Sequence, residues 1–250
     1  MNRPMSWPKK WPRKWLDLPR VPEPEVMDDS GEVEAYSSAA AEAYLNKIDD
    51  TFVEHAERLL GGRSRLREAG RALDIGCGPG QIILKLAQRL PGWHFAGLDR
   101  SANMVRQALA ARDQAARRMG GDLASRVQFF TGDGSMLPFA DASLDLVVCN
   151  SVLHHLEQPL RLFAEIARVA TPGGAILVRD LRRPSRPAYP LHVRWHGRHY
   201  SGLMHKLYCD SVRAAYTPEE LAALLSASPL RDARIFMLGR THLGFERPAR

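Results

Sequence analysis

Cysteine is scarce: Cys77, Cys149 and Cys209 are the only three in 250 residues, and they are far apart. That excludes a disulfide framework and a cysteine-rich zinc cluster, and makes a reducing, cytoplasmic setting the expectation. Long apolar runs are missing too, since no stretch approaches the ~20 residues that a membrane helix needs. The basic N-terminus has no apolar segment behind it, so no secretory leader is expected. Acid is nearly absent from two places. Residues 1–20 hold six basic side chains against Asp17 alone, and residues 181–206 hold six with no acid. The net charge of +7 therefore belongs to two segments, and the remaining chain is net acidic. A composition of 45% hydrophobic and 25% charged residues is that of a globular protein, and the length suits one large domain with appendages.

What is present centres on Ala72–Leu73–Asp74–Ile75–Gly76–Cys77–Gly78–Pro79–Gly80. An apolar run ends in an acid, a G-x-G-x-G loop follows, and residues 82–87 open a helical pattern. Glycines at alternate positions let the backbone turn sharply and admit a ligand against it. A dinucleotide fold normally spaces G-x-G-x-x-G and receives a pyrophosphate at the helix N-terminus. Here the third glycine comes one residue early, and Asp74 stands two residues before the first. A carboxylate there repels a pyrophosphate and attracts an ammonium group, which fits a ligand with a cationic amino-acid end.

The stretch resembles motif I of the class I S-adenosylmethionine-dependent methyltransferases, and the resemblance continues to about Asp180. It implies an α/β, Rossmann-like fold: seven mostly parallel strands, helices on both faces, and an antiparallel last strand. It also implies S-adenosylmethionine as cofactor, with Asp74, Gly76, Cys77 and Gly78 in its pocket. Asp99 ends a strand-like run at 93–98, one helix plus one strand beyond Gly80, which brings it to the same sheet edge. There a carboxylate can accept both ribose hydroxyls, with Arg100 beside it; the plainer role is a helix cap before Ser101. Met104, early in a helix over 101–119, is positioned to lie along an adenine. In the resembled family an acid after the third strand (126–131) faces the adenine amino group with a backbone N–H nearby, which assigns Asp133 and Gly134. An Asp–Gly pair is equally a turn former.

Residues 144–149 read as a buried central strand, followed by Asn150–Ser151–Val152–Leu153–His154–His155–Leu156. In the resembled fold this loop lies beside the reacting methyl group, so Asn150 is assigned to the cofactor and His154 and His155 are the catalytic candidates. An imidazole titrates near neutrality and suits a general base; the alternative is a structural histidine bonded to backbone. The Asn-Pro-Pro-aromatic sequence of nucleic-acid amino methyltransferases is absent. No metal is implied, because the histidines spread over 192–205 have no accompanying acid.

At the ends the expectations are coarser. Residues 1–30 form a basic arm with a Trp-Pro repeat at Trp7, Trp11 and Trp15, able to touch a membrane or nucleic acid, or simply to pack on the domain. The domain spans 31–250. A helix is expected over 32–60, with Tyr36 and Tyr44 in its core stripe or lining a lid. Residues 181–216 form an insertion on the substrate side, a capped helix follows from Thr217, and an antiparallel hairpin near 233–245 closes the sheet. The partner implied is a small-molecule methyl acceptor, anionic if Arg194 and Arg198 read it. A nucleic-acid acceptor and a cofactor-binding module without transfer activity are the other readings.

Overall fold

The computed structural model describes residues 16–23, 31, 43–61, 69–119 and 122–250. The apolar run before the glycine loop forms β1 (Gly70–Ile75), and Gly80, at φ +86°, ends the turn into α2 (Gln81–Arg89). Ahead of them lies α1 (Ala43–Leu59). Then follow β2 (Trp93–Asp99), α3 (Ala102–Met119), a single turn α4 (Leu123–Arg126), β3 (Val127–Thr131) and β4 (Leu144–Asn150). A 3-10 turn at Leu153–His155 leads to α5 (Pro159–Val169) and β5 (Ala170–Leu181). The chain ends with α6 (Tyr189–His196), α7 (Gly202–Ala214), α8 (Pro218–Ser226), β6 (Arg234–Leu238) and β7 (His242–Arg247).

The seven strands are ordered β3-β2-β1-β4-β5-β7-β6. The first five are parallel, whereas β7 runs antiparallel between β5 and β6. Order reverses between β1 and β4, so both end at the crevice where an open α/β sheet binds its ligand. Strand residues alternate between two cores, as a period of two requires. Ala72, Leu146 and Val148 face the layer of Phe52, Ala56, Ile83 and Leu86. Leu73, Val147 and Cys149 face the layer of Leu162, Phe163, Ile166 and Leu221. Cys149 is fully buried, a small core residue.

Three boundaries depart from expectation. β5 starts at Ala170, five residues before the apolar run at 175, because Ala170 pairs with Leu144 and the ladder resumes at Ala175 with Leu146, residues 171–174 being accommodated in the register shift between them. A Cβ on Gly174 would stand 3.0 Å from the Leu144 carbonyl oxygen. Within the insertion, α6 forms where only a later helix was expected, with Pro190 in its first turn, where a missing N–H costs nothing. Finally, residues 16–23, within the expected 1–30 arm, pack on the domain, so the boundary at 31 does not separate them from it. The Arg186 N–H donates to Leu16 O (2.8 Å) and the Val21 N–H to Arg213 O (3.2 Å). The expected cap is present: Thr217 and Glu220 form a complete capping box. Trp7, Trp11, Trp15, Tyr36 and the Tyr44 side chain fall outside the described residues.

Candidate active site

The glycine loop is held from two sides. The Gly76 and Cys77 N–H groups both donate to Leu98 O, at 2.7 and 3.1 Å. The Gly78 N–H donates to Asp99 Oδ2 (2.8 Å), and the Ser101 N–H to Asp99 Oδ1 (2.9 Å). Asp99 thus caps the turn into α3 and pins the loop with the same carboxylate. Gly76 (φ +70°) and Gly78 (φ +51°) are left-handed, and a Cβ on Gly76 would stand 2.3 Å from Val152 Cγ2. The loop and the segment after β4 therefore touch, and only a glycine leaves room for both.

A cavity of about 420 Å³ opens over this edge. Its wall includes Gly76, Gly78, Asp99, Arg100, Met104, Asp133, Gly134, Asn150 and His155. Asp133 accepts the Ser135 N–H (2.8 Å), the turn-forming role, and that bond holds its carboxyl below the usual carboxylate range. Its place in the wall keeps it available to a ligand. Cys77 stays off the wall; it is buried with its thiol against Gly78 O (3.6 Å), and burial pushes the thiol up. Asp74 lies beneath, 1% exposed, with no hydrogen-bond partner for either carboxylate oxygen among the described residues. Burial, with Asp99 and Asp49 nearby, pushes its carboxyl well up. Such a group is costly unless something cationic meets it.

A second cavity of about 140 Å³ adjoins the first, sharing Gly76, Asn150, Ser151 and His155. Ser151 sits at this junction with φ +59°, an uncommon left-handed conformation for a serine. Leu45, Ile48, Tyr200, Met204, Leu207 and Tyr208 supply an apolar and aromatic wall, to which His154, His196 and His242 add imidazoles. Burial lowers His242 to about 3 and also lowers His196, so both are neutral near pH 7.

Beneath this cavity lies a pair that the sequence did not mark. Arg179 is 1% exposed and donates to Asn150 Oδ1 (2.9 Å), Thr51 Oγ1 (2.9 Å) and Ile48 O (3.2 Å), with its guanidinium 4.7 Å from the Phe52 ring centre. It therefore fixes Asn150 and ties α1 to the sheet. Burial lowers Arg179 to about 10. Asp180 accepts from His154 twice, from Nδ1 (2.6 Å) and from the backbone N–H (3.0 Å). Burial opposes a charge on His154, but Asp180 and Glu23 outweigh it and its pKa is raised. Burial likewise opposes the Asp180 charge, and His154 outweighs it, so Asp180 is held low.

The strap at 16–23 closes the arrangement. The Arg20 guanidinium donates to Ala214 O (2.6 Å), His154 O (2.9 Å) and Leu156 O (3.2 Å), and lies 4.4 Å from the Tyr216 ring centre. Glu23 Oε2 lies 3.6 Å from both His154 Nε2 and His155 Nδ1. The two histidine rings are 4.1 Å apart. The basic insertion does not do what its charge suggested. Arg194 and Arg198 are exposed, Arg198 covers the exposed Trp195 ring at 4.4 Å, and neither lines either of the two cavities. Arg183 turns inward to Ala215 O and Glu220.

A doubly wound sheet, a glycine turn at its reversal point and a buried acid without a hydrogen-bond partner among the described residues place a ligand crevice at this edge. Residues 73–178 match the family model of a methyltransferase domain. The chain is 29% identical over 192 residues to a demethylmenaquinone methyltransferase of Roseiflexus castenholzii, covering 71% of this chain and 76% of that protein. A malonyl-[acyl-carrier protein] O-methyltransferase of Hahella chejuensis is 32% identical over 125 residues, half of this chain and 40% of its own. The fold is shared with the plantazolicin methyltransferase BpumL in complex with S-adenosylhomocysteine: TM-score 0.63, 16% identity, 89% of this chain and 91% of that one.

Proposed function

We propose that the protein methylates a small molecule with an apolar or ring-shaped body, held in the second cavity. The junction of the two cavities at Gly76, Asn150, Ser151 and His155 carries this reading, because it gives two ligands one shared wall. The similarity to a demethylmenaquinone methyltransferase supports an acceptor of this character. The lining residues described for the second cavity include no arginine or lysine, which speaks for a neutral acceptor over an anionic one. Residues 31–250 act as one catalytic domain whose 181–216 segment covers the acceptor side. The setting is a reducing cytoplasm that leaves Cys77, Cys149 and Cys209 as free thiols.

The residues present fit the cofactor. Asp74 would meet its ammonium group, Asp99 its ribose, and Met104, Asp133 and Gly134 its adenine, with Arg100 at the rim. When bound, S-adenosylmethionine supplies an electrophilic methyl group. The protein's share is positioning, which can contribute ~7–11 kcal/mol of the barrier, and exclusion of water. His155, at the junction, takes the acceptor proton, and His154 fixes its neighbour's position through Asp180. A base in this place contributes ~10²–10⁴-fold.

Labelled cofactor incubated with a metabolite extract, followed by identification of the labelled product, tests the acceptor class; a labelled nucleic acid would overturn it. Asp74 gives a cofactor-side check. Burial favours the protonated form of Asp74 in the free protein, and an ammonium group bound beside it favours the carboxylate, so the proton leaves to solvent on binding and affinity rises with pH until Asp74 is ionised. Calorimetry in buffers of different ionisation enthalpy should register proton release, which Asp74→Asn abolishes. Unchanged release in that variant removes Asp74 from the cofactor.

A further inference from the structure

We propose that Glu23, His154 and His155 form a binding site for a divalent transition-metal cation on the wall of the second cavity. Glu23 Oε2, His154 Nε2 and His155 Nδ1 lie within 4.8 Å of one another, with the carboxylate oxygen 3.6 Å from each nitrogen. Tetrahedral ligands ~2.0–2.1 Å from a metal stand about 3.3 Å apart, so each carboxylate-to-nitrogen distance needs a few tenths of an ångström of closure and the two nitrogens up to about 1.5 Å, within reach of side-chain rotation. The atoms are also prepared for the task. Glu23 Oε2 is buried and has no hydrogen-bond partner among the described residues, while Ser211 Oγ holds the other oxygen (3.2 Å). His154 gives its Nδ1–H to Asp180, which turns Nε2 toward the cluster. A carboxylate behind a ligating imidazole is the usual support of a metal-bound histidine.

Two nitrogens and one carboxylate oxygen suit zinc, iron or nickel better than magnesium or calcium. Three protein ligands leave a position open, and both histidines line the acceptor cavity, so that position faces the acceptor. Its use, lowering the proton affinity of an acceptor oxygen in place of an imidazole base, rests on the methyl-transfer reading. The binding itself does not, and is measured without cofactor or acceptor.

The test titrates metal-free, full-length protein with Zn²⁺ by calorimetry and with Co²⁺ by its visible absorption. One equivalent is expected to bind, with a tetrahedral Co²⁺ band. Glu23→Gln and His155→Ala should each weaken Co²⁺ binding by at least tenfold, and Asp180→Asn by ~10–100-fold through its effect on His154. His199→Ala, at an exposed histidine, should leave it unchanged. Glu23 lies on the strap and outside the hydrophobic core, so Glu23→Gln remains informative even if the His155 variant fails to fold. Absence of the band, or its survival in Glu23→Gln, overturns the proposal. If no metal binds and His155→Ala still abolishes transfer, the metal falls while the imidazole base stands.

Discussion

The two adjoining cavities share four residues and are built in opposite ways. The first cavity, proposed for the cofactor, is made largely of turns at the ends of β1, β2, β3 and β4, so local chain direction fixes most of its shape. The second cavity, proposed for the acceptor, takes its distinct wall from side chains of α1, the 181–216 insertion and the β6–β7 turn, braced by the strap through the Arg20–His154 bond, and these meet only in the folded protein. One is a property of the sheet edge, and the other of contacts across the whole chain. Methyltransferases on one fold can therefore keep the first and vary the second, which is why fold alone does not name an acceptor.

Separate perturbation of the two sides puts this contrast at risk. The largest effect is expected from Gly76→Val, which drives a side chain into Val152 and forces a left-handed φ, costing ~1–3 kcal/mol in overpacking and ~1–2 kcal/mol in backbone strain. Calorimetry should find no S-adenosylhomocysteine binding in a variant that keeps its helical circular dichroism. Retained affinity would mean that the loop does not set the cofactor side.

Next comes Asp180→Asn, which breaks a buried charged pair, at a cost of about 3–5 kcal/mol in urea unfolding. The sign follows from both shifts. Asp180, held low, stabilises fully above the unfolded carboxylate value, and that contribution is lost as pH falls through its folded pKa. His154, raised, stabilises fully below the unfolded imidazole value, and that contribution is lost as pH rises through its folded pKa. The difference between wild type and variant should peak between roughly pH 4 and 6.5. A difference that grows above pH 7 would assign the pair differently.

Smaller again is Arg20→Ala, which removes hydrogen bonds from a charged donor worth about 1.5–3 kcal/mol. Stability and acceptor turnover should fall while the cofactor dissociation constant stays within about twofold (~0.4 kcal/mol). Equal loss on both sides would erase the contrast. The smallest effect belongs to Arg194→Ala with Arg198→Ala, expected within ~0.5 kcal/mol in stability and without consequence for turnover. A selective loss toward anionic acceptors would restore them as readers of charge.

The same division explains what could be read beforehand. β1, the glycine turn, Asp99 and Asp133 are legible because their chemistry is local: a period-two apolar run, glycines that turn it, and acids spaced by one helix and one strand. The hairpin at 234–247 and the Thr217 cap follow from equally local signals. Glu23 and Arg20 were illegible because their partners lie more than a hundred residues away, and nothing near them in sequence marks the encounter. Arg179 and Asp180 did leave a trace: two charges end the strand whose preceding residues are wholly buried. The 181–206 charge could not be placed beforehand because a count of arginines carries no direction. Arg183 points inward, Arg198 lies on Trp195, and neither faces the acceptor.

The strap also sets an order of assembly. Arg20 bonds to Ala214, 194 residues later. At a synthesis rate of ~5–20 residues per second, Arg20 waits roughly 10–40 s for Ala214 to be made. By the time Ala214 is made, β1 through β4 are complete in the chain, whereas the second cavity still lacks Thr241 and His242. Contacts of such sequence separation are also slow to close in refolding. A nascent chain thus carries the strands behind the proposed donor site before every residue of the proposed delivery site exists.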